Sequence, residues 1–190
     1  WNGAIVYIRT QYWALDASQI VDFDGATGGI TLSSDTWYDI STNYGYFITN
    51  IVGEIDGDGE WAYDPAARKL YLMSTGGPPS GIEASQRQYG VRVLDGVSYV
   101  EIRGLTIAYH NNDGIRIGNA NHITLSGNTV KHSFGTAIWS DGQSQQIIGN
   151  VISYAGAAGI HLHGVPNSNI QGNSLYAIGT EVLGGDLLSG

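Results

Sequence analysis

Four residues recur at nearly constant spacing in the second half of the chain: Arg92, Arg116, Trp139 and His161. Each directly follows a Val or Ile, so in a strand each points away from the core. Asp141 and His163 follow the last two of them by two residues. Such a column has the chemistry of an acidic-sugar site. Arginine pairs with a carboxylate, tryptophan stacks on a pyranose face, and histidine moves protons near neutral pH. Arg116, Asp141, His161 and His163 are therefore candidate catalytic residues, with Trp139 and Arg92 as substrate contacts. A second row, Tyr109, His132 and Tyr154, shares the spacing, and Lys131 sits beside it. His132 and Tyr154 join the substrate-binding candidates, and Lys131 the catalytic ones. The same residue types would also populate an ordinary solvated face.

A third group lies in IDGDGEW (55–61), where Asp56, Asp58 and Glu60 alternate. Alternate carboxylates can supply oxygen ligands to calcium, although the full twelve-residue loop pattern is incomplete. The chain carries no G-x-S-x-G, no H-E-x-x-H and no phosphate loop. GIRIGN (114–119) is a repeat segment, since no strand-to-helix transition follows it.

The elements that must position these residues are repeats. VEIRGLTI (100–107), ITLSGNTV (123–130), QIIGNVI (146–152) and NIQGNSL (169–175) place glycines at 104, 127, 149 and 172. A second track, DGIRI, TAIWS and AGIHL, places Ile115, Ile138 and Ile160 at the same period of 22–23 residues. Short alternating segments fill the period, which predicts strands stacked as a parallel β-helix, each coil about 4.8 Å beyond the last. Ile102, Leu125, Ile147 and Ile170 then form one inward column. Ile107, Val130, Ile152 and Leu175 form another. Asn128, Asn150 and Asn173 follow their glycines and are expected to take left-handed backbone angles and bond the next coil through their amides. The repeats predict about four coils over 97–185, with a looser coil before them from GIEAS (81–85) and YGVRVLDG (89–96).

Residues 1–75 lack the period. AIVYIR, GITLSS, YGYFITN and KLYLMS read as strands, with breaks at Asp16–Ser18, Asp24–Gly29 and Asp56–Gly59. YDPAARKLYL reads as strand, Asp-Pro turn, strand. The fold class is all-β. A small antiparallel sheet or sandwich over 1–77 precedes a β-helix over 78–190.

The run GYFITNIVGEIDGDGEWAYDPAARKLYLM (45–73), followed by Pro78–Pro79, IEAS and the stacked coils, resembles secreted bacterial right-handed β-helix proteins. The matching residues are Gly59, Glu60, Trp61, Asp64, Leu70 and Tyr71. The resemblance implies an extracellular or cell-surface setting and a polysaccharide partner. It also implies activity as a polysaccharide lyase or glycoside hydrolase; lyases of this fold use a Lys or His as base, an Arg as acid and sometimes calcium as charge neutraliser, and Lys131 with Arg116 is a candidate pair of that kind. The alternative is a non-catalytic stalk, adhesin or filament segment.

Composition narrows the classes. Charged residues make up 13%, apolar residues 42%, and cysteine is absent. Disulfides and thiolate metal sites are thereby excluded. The formal net charge is −9 with 8 Lys+Arg and no basic stripe, which argues against nucleic acid as a partner. No apolar run reaches the ~20 residues of a helical membrane span. No signal peptide is read, and the chain opens at Trp1 and stops in mid-pattern. A partial chain with further domains or filament neighbours is therefore expected.

Overall fold

The computed structural model describes residues 1–12 and 14–179. It divides into two compact units, one from Trp1 to Ser80 and one beginning at Gly81.

The first unit holds β1 (Ile5–Gln11), β2 (Ala14–Asp24), β3 (Gly29–Leu32) and β4 (Tyr46–Thr49), paired antiparallel in the order β3-β2-β1-β4. Ala4, Val6 and Ile20 are buried on one face, packed by Ile8, Phe23, Ile30, Leu32, Ile48 and Ile51. A two-stranded hairpin follows, β5 (Trp61–Asp64) with β6 (Lys69–Leu72). Its turn is the expected Asp-Pro turn, with Asp64 Oδ1 accepting from the Ala66 and Ala67 amides. One expectation is overturned: Asp16–Ser18 is no break but the middle of β2. Its polar side chains are satisfied within the sheet region. Asp16 accepts from the Thr10 hydroxyl and the Trp37 amide, and the buried Ser18 hydroxyl bonds Ser33 and Ser34.

The second unit is four coils of three strands each. The first coil is β7 (Val91–Val93), β8 (Glu101–Arg103) and β9 (Thr106–His110). The second is β10 (Ile115–Ile117), β11 (Thr124–Ser126) and β12 (Thr129–Ser133). The third is β13 (Ile138–Ser140), β14 (Gln146–Ile148) and β15 (Val151–Ala155). The fourth is β16 (Ile160–Leu162), β17 (Asn169–Gln171) and β18 (Ser174–Ile178). Equivalent strands pair in parallel into three sheets, β7-β10-β13-β16, β8-β11-β14-β17 and β9-β12-β15-β18. Coiling thus starts at Val91, within the looser coil expected over 89–96, and residues 81–85 contribute no strand.

The register is the one the repeats dictate: Leu125 pairs with Ile102 and Ile147, and Ile147 with Ile170. Ile115, Ile117, Ile123, Leu125, Val130, Ile138, Ile147 and Ile152 are fully buried between the sheets. Ile170 and Leu175 are about half exposed because no described coil lies beyond them. The interior is narrow. A Cβ on Gly114 would collide with the Val130 side chain and stand 2.8 Å from the Ala137 carbonyl. An aspartate at Ile138 would bury an unpaired charge in this space, so Ile138→Asp abolishes cooperative unfolding of the coils, as circular dichroism melting would show.

The turn after each β8-type strand is built on an asparagine ladder. Asn150 Nδ2 donates to Leu125 O at 3.0 Å and to Asn173 Oδ1 at 2.9 Å, while its Oδ1 accepts from the amide and side chain of Asn128 at 2.9 and 3.0 Å. Asn128 repeats the pattern toward Ile102 O, and its Oδ1 accepts from the amide of Leu105, where the first coil lacks the asparagine. The left-handed angle expected at the asparagines falls instead on the glycines before them, with φ between 61° and 65° at Gly104, Gly127, Gly149 and Gly172. Glycine takes that angle at no steric cost, which frees the asparagine to point inward. Asn150→Ala leaves buried partners on two coils unpaired, so it lowers unfolding free energy by about 3 kcal/mol in chemical denaturation. An unchanged midpoint would show the ladder to be dispensable.

Candidate functional site

The three-residue strands of the β7-β10-β13-β16 sheet each send two side chains inward and one outward. The outward positions are in register: Arg92 beside Arg116, Arg116 beside Trp139, Trp139 beside His161. Trp139 is half-buried, and both its faces are occupied by its own column. The Arg116 guanidinium carbon lies 4.5 Å from the indole centroid on one side, and the His161 ring stacks on the other at 3.8 Å and 5°. Asp141 closes the group. Its Oδ2 accepts from Arg116 Nη2 at 3.1 Å, its Oδ1 accepts from Trp139 Nε1 at 3.1 Å, and His163 Nδ1 lies 3.3 Å from Oδ1. Asp113 holds Arg116 from below at 3.3 Å while its other oxygen accepts from the Thr136 amide. Five of the six strip candidates, Arg116, Trp139, Asp141, His161 and His163, thus converge. The sixth, Arg92, is exposed, lies 5.5 Å over the Tyr89 ring and makes no ion pair among the described residues.

A second stack runs along the β9-β12-β15-β18 sheet. The Tyr109 and His132 rings are parallel at 5.0 Å, and His132 and Tyr154 at 4.8 Å. All three residues have positive φ, 61°, 52° and 52°, a local irregularity in the strand that turns their rings outward in line. Lys131 stands next to this row. It is therefore on a different sheet from Arg116, whose donors go to Asp113 and Asp141. The base–acid pairing of Lys131 with Arg116 is not made.

The sequence profile described as "Right handed beta helix region" matches residues 89–184, just over half of the chain. The chain belongs to this family. No curated protein and no solved structure matches the chain. Within this β-helix, Asp113 is the site residue that the reading of the strip from sequence left out. Its signal was the i, i+3 spacing to Arg116.

The acidic loop outside the β-helix is arranged for folding. Asp58 Oδ1 accepts from the Thr75 amide and hydroxyl, and Glu60 Oε2 accepts from the Asp56 and Gly57 amides at 2.9 Å. These bonds hold both carboxyls below their usual range. The calcium expectation fails on this point: Asp56, Asp58 and Glu60 do not converge, and no group of three metal-ligating side chains exists among the described residues. The carboxylates were legible in sequence, but their partners, which lie up to 17 residues away, were not.

Two tests follow from the β-helix itself. Trp139 is covered on both ring faces by its own column, Arg116 on one side and His161 on the other. Trp139→Ala therefore lowers stability by about 2 kcal/mol in denaturant, less than the ~3–5 kcal/mol of a core tryptophan. The second concerns pH. His110 is buried, and burial first, then Arg87, pushes its imidazole below the ordinary value. Burial and Lys131 do the same to His132 against an opposing pull from Glu83. The unfolded chain takes up these protons first, near pH 6.5. Stability is full above about pH 6.5 and falls as the pH drops below it. His110 Nδ1 has no hydrogen-bond partner among the described residues, so His110→Leu removes one titration without breaking a bond at that atom. Melting temperatures from neutral to acidic pH should fall less steeply in that variant than in the natural chain.

Proposed function

We propose that this chain is an extracellular, carbohydrate-directed β-helix that holds a polysaccharide along the outward strip of the β7-β10-β13-β16 sheet. One observation carries the reading: arginine, tryptophan and histidine share the outward column of that sheet alone. The β8-β11-β14-β17 sheet turns mostly small polar or amide residues outward, such as Thr124, Ser126, Gln146 and Gln171. The strip's free groups are Arg92, for a carboxylate or hydroxyls, and the exposed His163, for proton transfer beside Asp141. Trp139 and Arg116 are fixed parts of the platform, since their faces and donors are engaged. Acid–base chemistry by a lyase or glycoside hydrolase would fall to His163 and His161 with Asp141. Lys131 belongs to the β9-β12-β15-β18 sheet and is not part of this strip.

A second reading, a non-catalytic structural segment, is favoured by the closure of the Asp113–Arg116–Asp141 network on itself. Calorimetric titration with polygalacturonate and with a neutral glucan separates the two. The carbohydrate reading expects saturable binding, weakened about tenfold in Arg92→Ala with unchanged melting. It also expects any formation of unsaturated product to disappear in His163→Ala while binding persists. If neither polymer binds, and strip variants alter melting alone, the structural reading stands.

A further inference from the structure

The N-terminal unit contains a pocket that none of the sequence motifs announced. Arg9, Tyr12, Ser41, Thr42, Asn43 and Tyr44 line a space of about 540 Å³. It forms where β1 leaves regular pairing: the β1–β2 register shifts between Arg9 and Gln11. Such bulges re-aim side chains and concentrate beside functional sites. The Arg9 amide bonds Gly45 O at 3.0 Å and anchors the 41–45 loop, in which Asn43 turns the chain at φ 84°. Tyr12 and Tyr44 meet edge to face at 5.6 Å and 88°. Tyr12 is 80% exposed, so one ring face is open.

Charge makes Arg9 unusual. The first 80 residues carry ten Asp and Glu against Arg9, Arg68 and Lys69. Arg9 nonetheless makes no ion pair among the described residues; its Nη1 reaches only Tyr12 O, at 3.4 Å. An arginine kept for structure in so acidic a unit would take a carboxylate from its surroundings. Hydroxyls, an amide and two phenol rings line the pocket beside Arg9, with no carboxylate among the described residues.

We propose that this pocket binds one carboxylated sugar residue. Arg9 takes the carboxylate through its forked donors, the open Tyr12 face takes the apolar face of the pyranose, and Ser41, Thr42 and Asn43 meet its hydroxyls. The pocket shares no residue with the β-helix strip. It is tested on the full chain by calorimetry with sodium glucuronate, glucose and sodium acetate as probes. Glucuronate binds, and glucose and acetate bind at least about tenfold more weakly, because each supplies half of the recognition. Arg9→Ala loses about tenfold or more, Arg9→Lys falls between because an ammonium cannot fork, and Tyr12→Ala weakens glucuronate and glucose while Tyr12→Phe does not. Melting of the Tyr12 variants stays unchanged, given that exposure. Arg68→Ala, which removes an exposed arginine of the same unit outside the pocket, binds glucuronate as the natural chain does. No glucuronate binding, acetate binding as tightly as glucuronate, or a loss in Arg68→Ala as large as that in Arg9→Ala would each overturn the proposal.

Discussion

The side-chain amide of Asn150 ties its own coil to the one on either side, donating to Leu125 and Asn173 and accepting from Asn128. A coil of about 23 residues has two polar groups per peptide to satisfy at each corner, where the chain leaves one sheet for the next. Backbone partners run out there, and water is excluded by the packed aliphatic columns. The asparagine ladder supplies the missing donors and acceptors. In doing so it fixes each coil directly above the last. A slip of one residue would turn Leu125 and Ile147 outward and bring their polar neighbours in.

That enforced register also writes the surface. Whatever side chain occupies an outward position stands one strand spacing from its equivalents in the coils above and below. Planar groups then stack: Arg116, Trp139 and His161 in one row, Tyr109, His132 and Tyr154 in another. Stacking covers the hydrophobic faces that would otherwise be costly to expose. A ring held in this way leaves only its edge outward, and the exposed members of the strip are the groups outside the stack, Arg92 and His163.

The two units divide the charge unequally. Residues 81–179 carry five acidic and five basic side chains, and the acidic excess lies outside them. A formally neutral β-helix does not repel a polyanion. The unit with ten carboxylates binds four of them into turns, Asp24, Asp58, Glu60 and Asp64, and leaves Arg9 with no ion pair among the described residues.

By itself the sequence determined the period, the inward columns and the register of the strip, because a β-helix repeats one local instruction and the same residue types recur at the same point in every coil. The Asp-Pro turn was legible for the same local reason. Tertiary structure alone decided the rest. It made Asp16–Ser18 part of a strand, since their partners Thr10, Trp37, Ser33 and Ser34 come from other segments. It put the left-handed angle on glycine rather than asparagine, because the amide had to reach inward. It covered Trp139 with Arg116 and His161, dispersed Asp56, Asp58 and Glu60, and set Lys131 on another sheet from Arg116. It gathered Arg9 with the 41–45 loop across more than thirty residues of chain. Each of these depends on which distant donor or acceptor lies nearest, and spacing along a sequence carries no record of that.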